Sequence, residues 1–270
     1  MAAYKRIKQG KISDVIATQL EDHIVQGVLV PGERLPSERD LAQQMDVSRP
    51  SLREALQKLE KKGLLETQQG GGTYVCDILG PSLTDPLAVL FQSYPDTAQD
   101  FVEFRTTVDG ISAYYAALRA TDADRELLTA CFEAMEEAHE TEDPTEEADI
   151  DADFHLAIAE AAHNVVLLHI MRGLFTLLRN GVFFNRMQLY TRPGSRVLLL
   201  KQHRAIYDGI MAGDPEKAQS AAVGHLKYVK EVTQDMGKEE LRTEVSERRL
   251  ERYRERLEAK KKKTRKPAKA

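Results

Sequence analysis

The chain has 270 residues, enough for two domains, with 38 Lys and Arg against 43 Asp and Glu and a net charge of −5. No apolar run approaches the roughly 20 residues that cross a bilayer, and Met1-Ala-Ala-Tyr-Lys-Arg leads into no signal-peptide core, so a cytoplasmic chain without membrane contact is expected. Cys76 and Cys131, far apart, exclude a disulfide framework, and the small acid excess leaves nucleic-acid binding open, because that depends on where charge sits: Arg34, Arg39, Arg49 and Arg53 gather at one end.

The first predicted helix spans 12–26 and puts Ile12, Val15, Ile16, Leu20 and Ile24 on one face, with Gly27 and then Pro31-Gly32 ending it. Ser37, with Asp40 three residues on, reads as the N-cap of a short helix carrying Leu41, Ala42 and Met45. After a tight turn at Asp46-Val47, Ser48 caps a third helix, where Pro50 is tolerated because first-turn N–H groups lack helical partners. Leu52, Ala55, Leu56 and Leu59 give it an apolar face, and Gly63 stops it. Two short strand-like runs around Gly70-Gly71-Gly72 make a hairpin, so residues 8–76 follow the winged helix-turn-helix order. The stretch 77–85, with Gly80 and Pro81, reads as a linker. Helices are predicted near 97–119, 122–140, 145–163, 165–190, 195–212 and 215–236, which makes 86–236 an all-α bundle behind the head. The fold class is therefore mainly α, with one β-hairpin wing. Residues 237–270 form a charged tail, helical to about Glu258 and disordered from Lys260 onward. The run Lys260-Lys-Lys-Lys-Thr-Arg-Lys is either solvated and inert or a non-specific attractor of phosphate.

In a helix-turn-helix, the N-terminal residues of the second helix of the motif face base edges in the major groove. Here those are Ser48, Arg49, Pro50, Ser51 and Arg53, with Arg49 and Arg53 one turn apart opposite the leucines. A guanidinium matches the O6 and N7 acceptors of guanine with two parallel hydrogen bonds, and the serines suit phosphates. Arg39, on the preceding helix, can reach the backbone, and the wing glycines allow close approach to it. An arginine pair alone is more often a solvated face; the ordered set of capped helix, turn, capped helix and glycine hairpin argues for DNA.

Leu35-Pro-Ser-Glu-Arg-Asp-Leu-Ala, Val47-Ser-Arg-Pro-Ser-Leu-Arg-Glu-Ala-Leu, Gly63-Leu-Leu and Gln69-Gly-Gly-Gly-Thr-Tyr-Val together resemble the GntR family of regulators, and the helical half resembles its FadR subfamily. The resemblance covers roughly 10–235 and implies that Arg39, Arg49, Arg53 and Gly70, with Gln69 beside it, contact a double-stranded operator, read as an inverted repeat by a homodimer. Asp151 and His155 are four apart on one helix, and His203 and His225 lie on two later ones. Taken singly, each histidine is more often a core or surface residue. The matches Asp-x2-Phe-His, Gln-His-Arg-Ala-Ile and Gly-His-Leu imply that these four hold a divalent metal, with zinc the first candidate, whereas His23, His139, His163 and His169 do not.

Phe154-His-Leu-Ala-Ile-Ala-Glu-Ala-Ala-His-Asn and Ala113-Tyr-Tyr-Ala-Ala-Leu-Arg resemble the branch of the family that regulates pyruvate dehydrogenase, lactate and glycolate genes. That implies a repressor answering a small 2-oxo or 2-hydroxy acid, pyruvate first and lactate or glycolate as alternatives. Arg105 is the candidate to pair the carboxylate, an interhelical or surface salt bridge being its competing role, and Asn180 is a second candidate. A direct metal sensor is a further alternative. An enzyme is not expected: the chain has no His-Glu-x-x-His helix, no Gly-x-Ser-x-Gly elbow and no phosphate loop, and Glu160, the nearest spare acid, reads as solvated.

Overall fold

The computed structural model describes residues 11–68, 70–94, 97–141, 143–179, 189–190 and 192–264. The head comprises α1 (Ile12–Val25), α2 (Glu38–Gln44), α3 (Arg49–Lys61) and the antiparallel strands β1 (Leu65–Gln68) and β2 (Gly72–Val75), paired with Leu65 opposite Val75 and Gln68 opposite Gly72. Both short helices are capped: the Ser37 side chain accepts from the Asp40 N–H at 3.2 Å, and Ser48 from the Ser51 N–H at 3.3 Å. Between them Asp46 takes a left-handed backbone, φ 51°, which a short polar side chain tolerates. The leucine stripe of α3 closes the head core: Leu52 and Leu59 are fully buried among Ile16, Leu20, Ile24 and Leu35, each contributing roughly 1.5–3 kcal/mol. Ile12 and Val15, expected on the buried face of α1, are exposed instead. Ser13 and Ala17 take the inward positions, with the Ser13 hydroxyl accepting from Lys58 of α3 at 2.8 Å.

The stretch read as a linker is already helical from Gly80: α4 (Gly80–Ser93) accepts Pro81 in its first turn, where no N–H is needed. Behind it come α5 (Thr97–Arg119), α6 (Asp122–Thr141), α7 (Pro144–Ala161), α8 (Val165–Arg179), α9 (Ser195–Met211) and α10 (Pro215–Thr264). The expected helix over 165–190 is described only to Arg179, and Asn180 lies outside the described residues. Asp143 caps α7, accepting from the Thr145 and Glu146 N–H groups. Asp214 caps α10 through the Lys217 N–H, with Pro215 in the first helical position. The last helix runs on to Thr264, past the end expected near Glu258; Glu and Lys are good helix formers, and the run contains no Gly or Pro after Gly237 to stop it.

Helices α5, α7, α9 and α10 pack on one another around two aromatic centres. Phe132 and Phe154 sit with Ile206 and Ile210 in one cluster, and Phe175 with Phe101 and Met171 in another. The polar side chains of the next section lie between the two.

Candidate DNA interface and metal centre

On the head, the N-terminal turns of α3 present Arg49 and Arg53 with side chains 59% and 57% exposed, while Leu52, Leu56 and Leu59 of the same helix are buried. Arg53 is held by a residue that sequence reasoning passed over. Its Nε and Nη2 donate to the Glu38 carboxylate at 3.1 and 2.6 Å, and Arg49 Nη2 stands 3.9 Å from the same group. Hydrogen bonding from Arg53 keeps the Glu38 carboxyl below its usual range. Ser48 and Ser51 share a hydroxyl–hydroxyl bond of 2.9 Å, and Pro50 sits in the first turn. Arg39 leans on its neighbour Asp40 at 3.3 Å and is otherwise in solvent. At the wing tip, Gly70 has φ +74° and nothing within 4 Å of the place a Cβ would occupy, so the backbone conformation alone demands glycine. Gln69 lies outside the described residues. The arrangement offers two exposed guanidinium groups on one helix end, flanked by hydroxyls and a bare hairpin.

In the helical half, α7 supplies Asp151 and His155 one turn apart, α9 supplies His203, and α10 supplies His225. All four are buried, and one ligand atom from each lies within 4.8 Å of the others. Asp151 Oδ1 sits between two imidazoles, 3.0 Å from His203 Nε2 and 3.7 Å from His155 Nε2. The ring centroids of His155, His203 and His225 are 4.4 to 5.4 Å apart.

The outer nitrogens face polar groups. His225 Nδ1 lies 3.0 Å from Gln202 Oε1, an acceptor, which makes Nδ1 the donor of this pair and turns Nε2 toward the other ligands' side. His155 Nδ1 faces Asp109 Oδ2 at 3.5 Å. Burial pushes the His155 pKa down to about 3, against the pull of Asp109, so its ring is neutral. His155 Nε2 is buried with no hydrogen-bond partner among the described residues. An orphaned ring nitrogen, two further imidazoles and a carboxylate turned to one point make a donor set that fits a divalent transition metal.

Arg105 belongs to this cluster. It is buried on α5, and its Nη2 donates to Asp109 Oδ2 at 2.6 Å, the oxygen that also faces His155. Its guanidinium carbon lies 4.8 Å from the centre of the Phe175 ring, which stacks on His155 at 5.8 Å. Arg105 Nε and Asp109 Oδ1 are buried without hydrogen-bond partners among the described residues. The salt bridge of Arg105 is neither at the surface nor between helices, as the competing role had it, but buried within α5, and it leaves the Arg105 Nε–H beside the histidines without a hydrogen-bond partner among the described residues.

The remaining described histidines stand elsewhere. His139 Nδ1 lies 3.2 Å from Glu147 Oε1, and His163 Nε2 2.8 Å from Asp124 Oδ2. His169 Nε2 meets the Val25 carbonyl of the head at 2.9 Å, which leaves it as the donor. Glu160 is not merely solvated, as expected: it accepts from Arg172 at 2.8 Å, and the same Nη2 lies 3.3 Å from the Gly27 carbonyl. Neither Asp109, Gln202 nor Arg172 was singled out from the sequence. The four-residue spacing from Arg105 to Asp109 was a visible signal; the long-range pairs carry none.

Comparison with known proteins divides the chain in the same way. Residues 12–75 match the profile described as bacterial regulatory proteins, gntR family, and residues 100–228 match the FCD domain. The chain is 41% identical over 223 residues to an Escherichia coli (strain K12) protein described as an L-lactate dehydrogenase operon regulatory protein, covering 81% of this chain and 85% of that one. It is 38% identical over 228 residues to the Glc operon transcriptional activator of the same organism, covering 83% and 90%. To the HTH-type transcriptional regulator LutR of Bacillus subtilis (strain 168) it is 32% identical, covering 77% and 95%.

Proposed function

Because the chain belongs to the GntR family of bacterial regulatory proteins, with an FCD domain behind its DNA-binding head, we propose that it is a cytoplasmic repressor whose grip on an inverted-repeat operator is set by a small 2-oxo or 2-hydroxy acid. Pyruvate is the first acid to test. The relative described by an L-lactate dehydrogenase operon supports lactate beside it, the two differing only in the oxidation state of the second carbon.

In this reading Arg49 and Arg53 read base edges, Ser48, Ser51 and Arg39 position the head on phosphates, and Pro50 and Gly70 shape the two surfaces that approach the duplex. Two copies are needed to read an inverted repeat, so the working unit is a homodimer. Asp151, His155, His203 and His225 hold a divalent metal, zinc first. Such an ion supplies a Lewis acid with positions left for a carboxylate and the oxygen on the next carbon.

The observation that carries the acid reading is the buried Arg105 Nε, without a hydrogen-bond partner among the described residues, on a guanidinium that shares Asp109 Oδ2 with His155. A carboxylate placed there would satisfy that donor. Phe175 and Phe154 pack against the His155 ring, and such an apolar lining strengthens a charge pairing.

The test is metal analysis combined with DNA titration, with and without pyruvate, lactate and glycolate. In His203→Ala, which removes a neutral nitrogen ligand, metal content and acid response are expected to fall together, while DNA binding without acid persists. Full metal content, or an undiminished acid response, in that variant would overturn the chelation mechanism. A response to metal removal with none to any acid would make the protein a direct metal sensor.

A further inference from the structure

The last helix outlasts the domain it begins in. The FCD match ends at residue 228, and Val232 and Thr233 are the last buried side chains among those described on α10, yet the helix continues to Thr264. That is about thirty more residues, or roughly 45 Å of helix. Every described side chain from Thr243 to Arg256 is exposed. A helix that packs on nothing needs either a ladder of its own ion pairs or a partner to persist in water.

Its charges are sorted by face. Arg248, Arg252, Arg256, Lys260 and Lys263 follow one another at spacings of four, four, four and three, and Arg249 falls on the same side. Glu244, Glu247, Glu251, Glu255 and Glu258 repeat at three, four, four and three along another side. Arg248 donates to Glu244, so the two faces touch at one edge. Along the basic face, however, neighbours one turn apart carry like charge, which costs about 0.2–0.5 kcal/mol per pair until an anion lies against them. From residue 247 to 270 there are twelve Lys and Arg against four Glu, on a chain whose net charge is −5. The positive charge of this protein is therefore concentrated at the end farthest in sequence from α3.

We infer that the projecting half of α10 is a second nucleic-acid contact, in which the stripe of Arg248, Arg249, Arg252, Arg256, Lys260 and Lys263 lies along duplex phosphates outside the sequence read by α3. The inference rests on the reading of the head as a DNA-binding unit, which brings the whole molecule to a polyanion with one charge per ~1.7 Å of axis. The stripe, about 22 Å long, spans many such charges. A second copy of the helix is the weaker partner: Leu250, Tyr253 and Leu257 fall at a coiled-coil spacing, but three positions are less than the three or four heptads such a seam requires. A membrane surface would need a broader apolar face than these three residues supply.

The experiment titrates the full chain, and a variant with Gln at those six basic positions, against a random-sequence duplex of roughly forty base pairs over a range of salt concentrations. Circular dichroism and sedimentation are run on both proteins. The expected result is weaker binding by the variant and a salt slope shallower by roughly three, for three or four phosphates lost at about 0.9 each. Sequence preference, which belongs to Arg49 and Arg53, stays unchanged. Equal slopes in two folded proteins would overturn the inference. So would a change of oligomeric state in the variant, which assigns the helix to a second copy, or tighter binding of the full chain to phosphatidylserine vesicles than to the duplex. Loss of sequence preference in Arg49→Ala with the tail-dependent slope intact separates the head from the tail. A chain that binds duplex through the tail and shows no sequence preference at all refutes the repressor reading and leaves this one standing.

Discussion

At Glu38, one carboxylate stands between the two arginines that would read bases. It accepts two hydrogen bonds from Arg53 and so presents that guanidinium in a fixed orientation before any duplex arrives. Its negative charge also opposes the approach of phosphate. Removing it as Glu38→Gln is expected to raise affinity for random-sequence duplex and to narrow the gap between operator and random sequence, both measured by titration. A pH signature accompanies the change. The folded-state pKa of Glu38 is lowered from 4.5 by the bond from Arg53, so the pair's contribution to stability is complete above about 4.5 and drains away as pH falls through the lowered value. In Glu38→Gln that acid limb is absent, and urea midpoints of variant and wild type are expected to converge as the pH drops.

Elements were legible in the sequence where the signal is local. Ser37 and Ser48 announce their helices because a cap acts within three residues, and the leucine period of α3 predicts the face it buries. The inward face of α1 was not fully legible, since Ser13 is buried and Ile12 and Val15 are exposed, and the partner that Ser13 meets, Lys58, lies 45 residues away on α3. Gly80-Pro81 looked like a break and is a helix start, because the same residues serve both purposes. Four metal-site candidates were identified through resemblance, and the fold brings them together. Their outer partners were out of reach: Asp109 is on a different helix from His155, and Gln202 from His225. One element contact governs the geometry of that site. A Cβ at Gly209 on α9 would stand 2.8 Å from the Ala218 Cα and N on α10, backbone atoms that cannot yield. These two helices carry His203 and His225. Gly209→Val is expected to force them apart, costing about 1–3 kcal/mol in denaturant unfolding and weakening zinc retention against a chelator. Unchanged zinc retention in the folded variant would show that the crossing does not set the site.

For the molecule as a whole, the question is how an event at α7 reaches the reading head. The chain offers a short path. Asp151 and His155 share α7 with Glu160; Glu160 holds Arg172 on α8; Arg172 and His169 meet the Gly27 and Val25 carbonyls at the end of α1. A coupling of the usual 1–3 kcal/mol, or 5–150-fold in affinity, needs a contact that differs between two arrangements, and this joint is the candidate. Arg172→Met keeps the side-chain bulk and removes the charge and the bonds. Metal content and acid-free DNA binding are expected to persist, while the acid-dependent change in DNA affinity shrinks severalfold; a full response would place the coupling elsewhere.

The joint has one more property. Both bonds that α8 makes to the end of α1 go to main-chain carbonyls, and a carbonyl is the same group whatever side chain it belongs to. A sensor that grips its reader by the backbone is indifferent to what the reader reads. In the proposed reading the operator specificity of α3 can therefore drift without any compensating change in α8, provided Gly27 is kept, since a Cβ there would stand 2.8 Å from Arg172 Nη2 and Leu168 Cδ2. If the proposed acid response holds, one sensor domain could in this way be paired with many promoters.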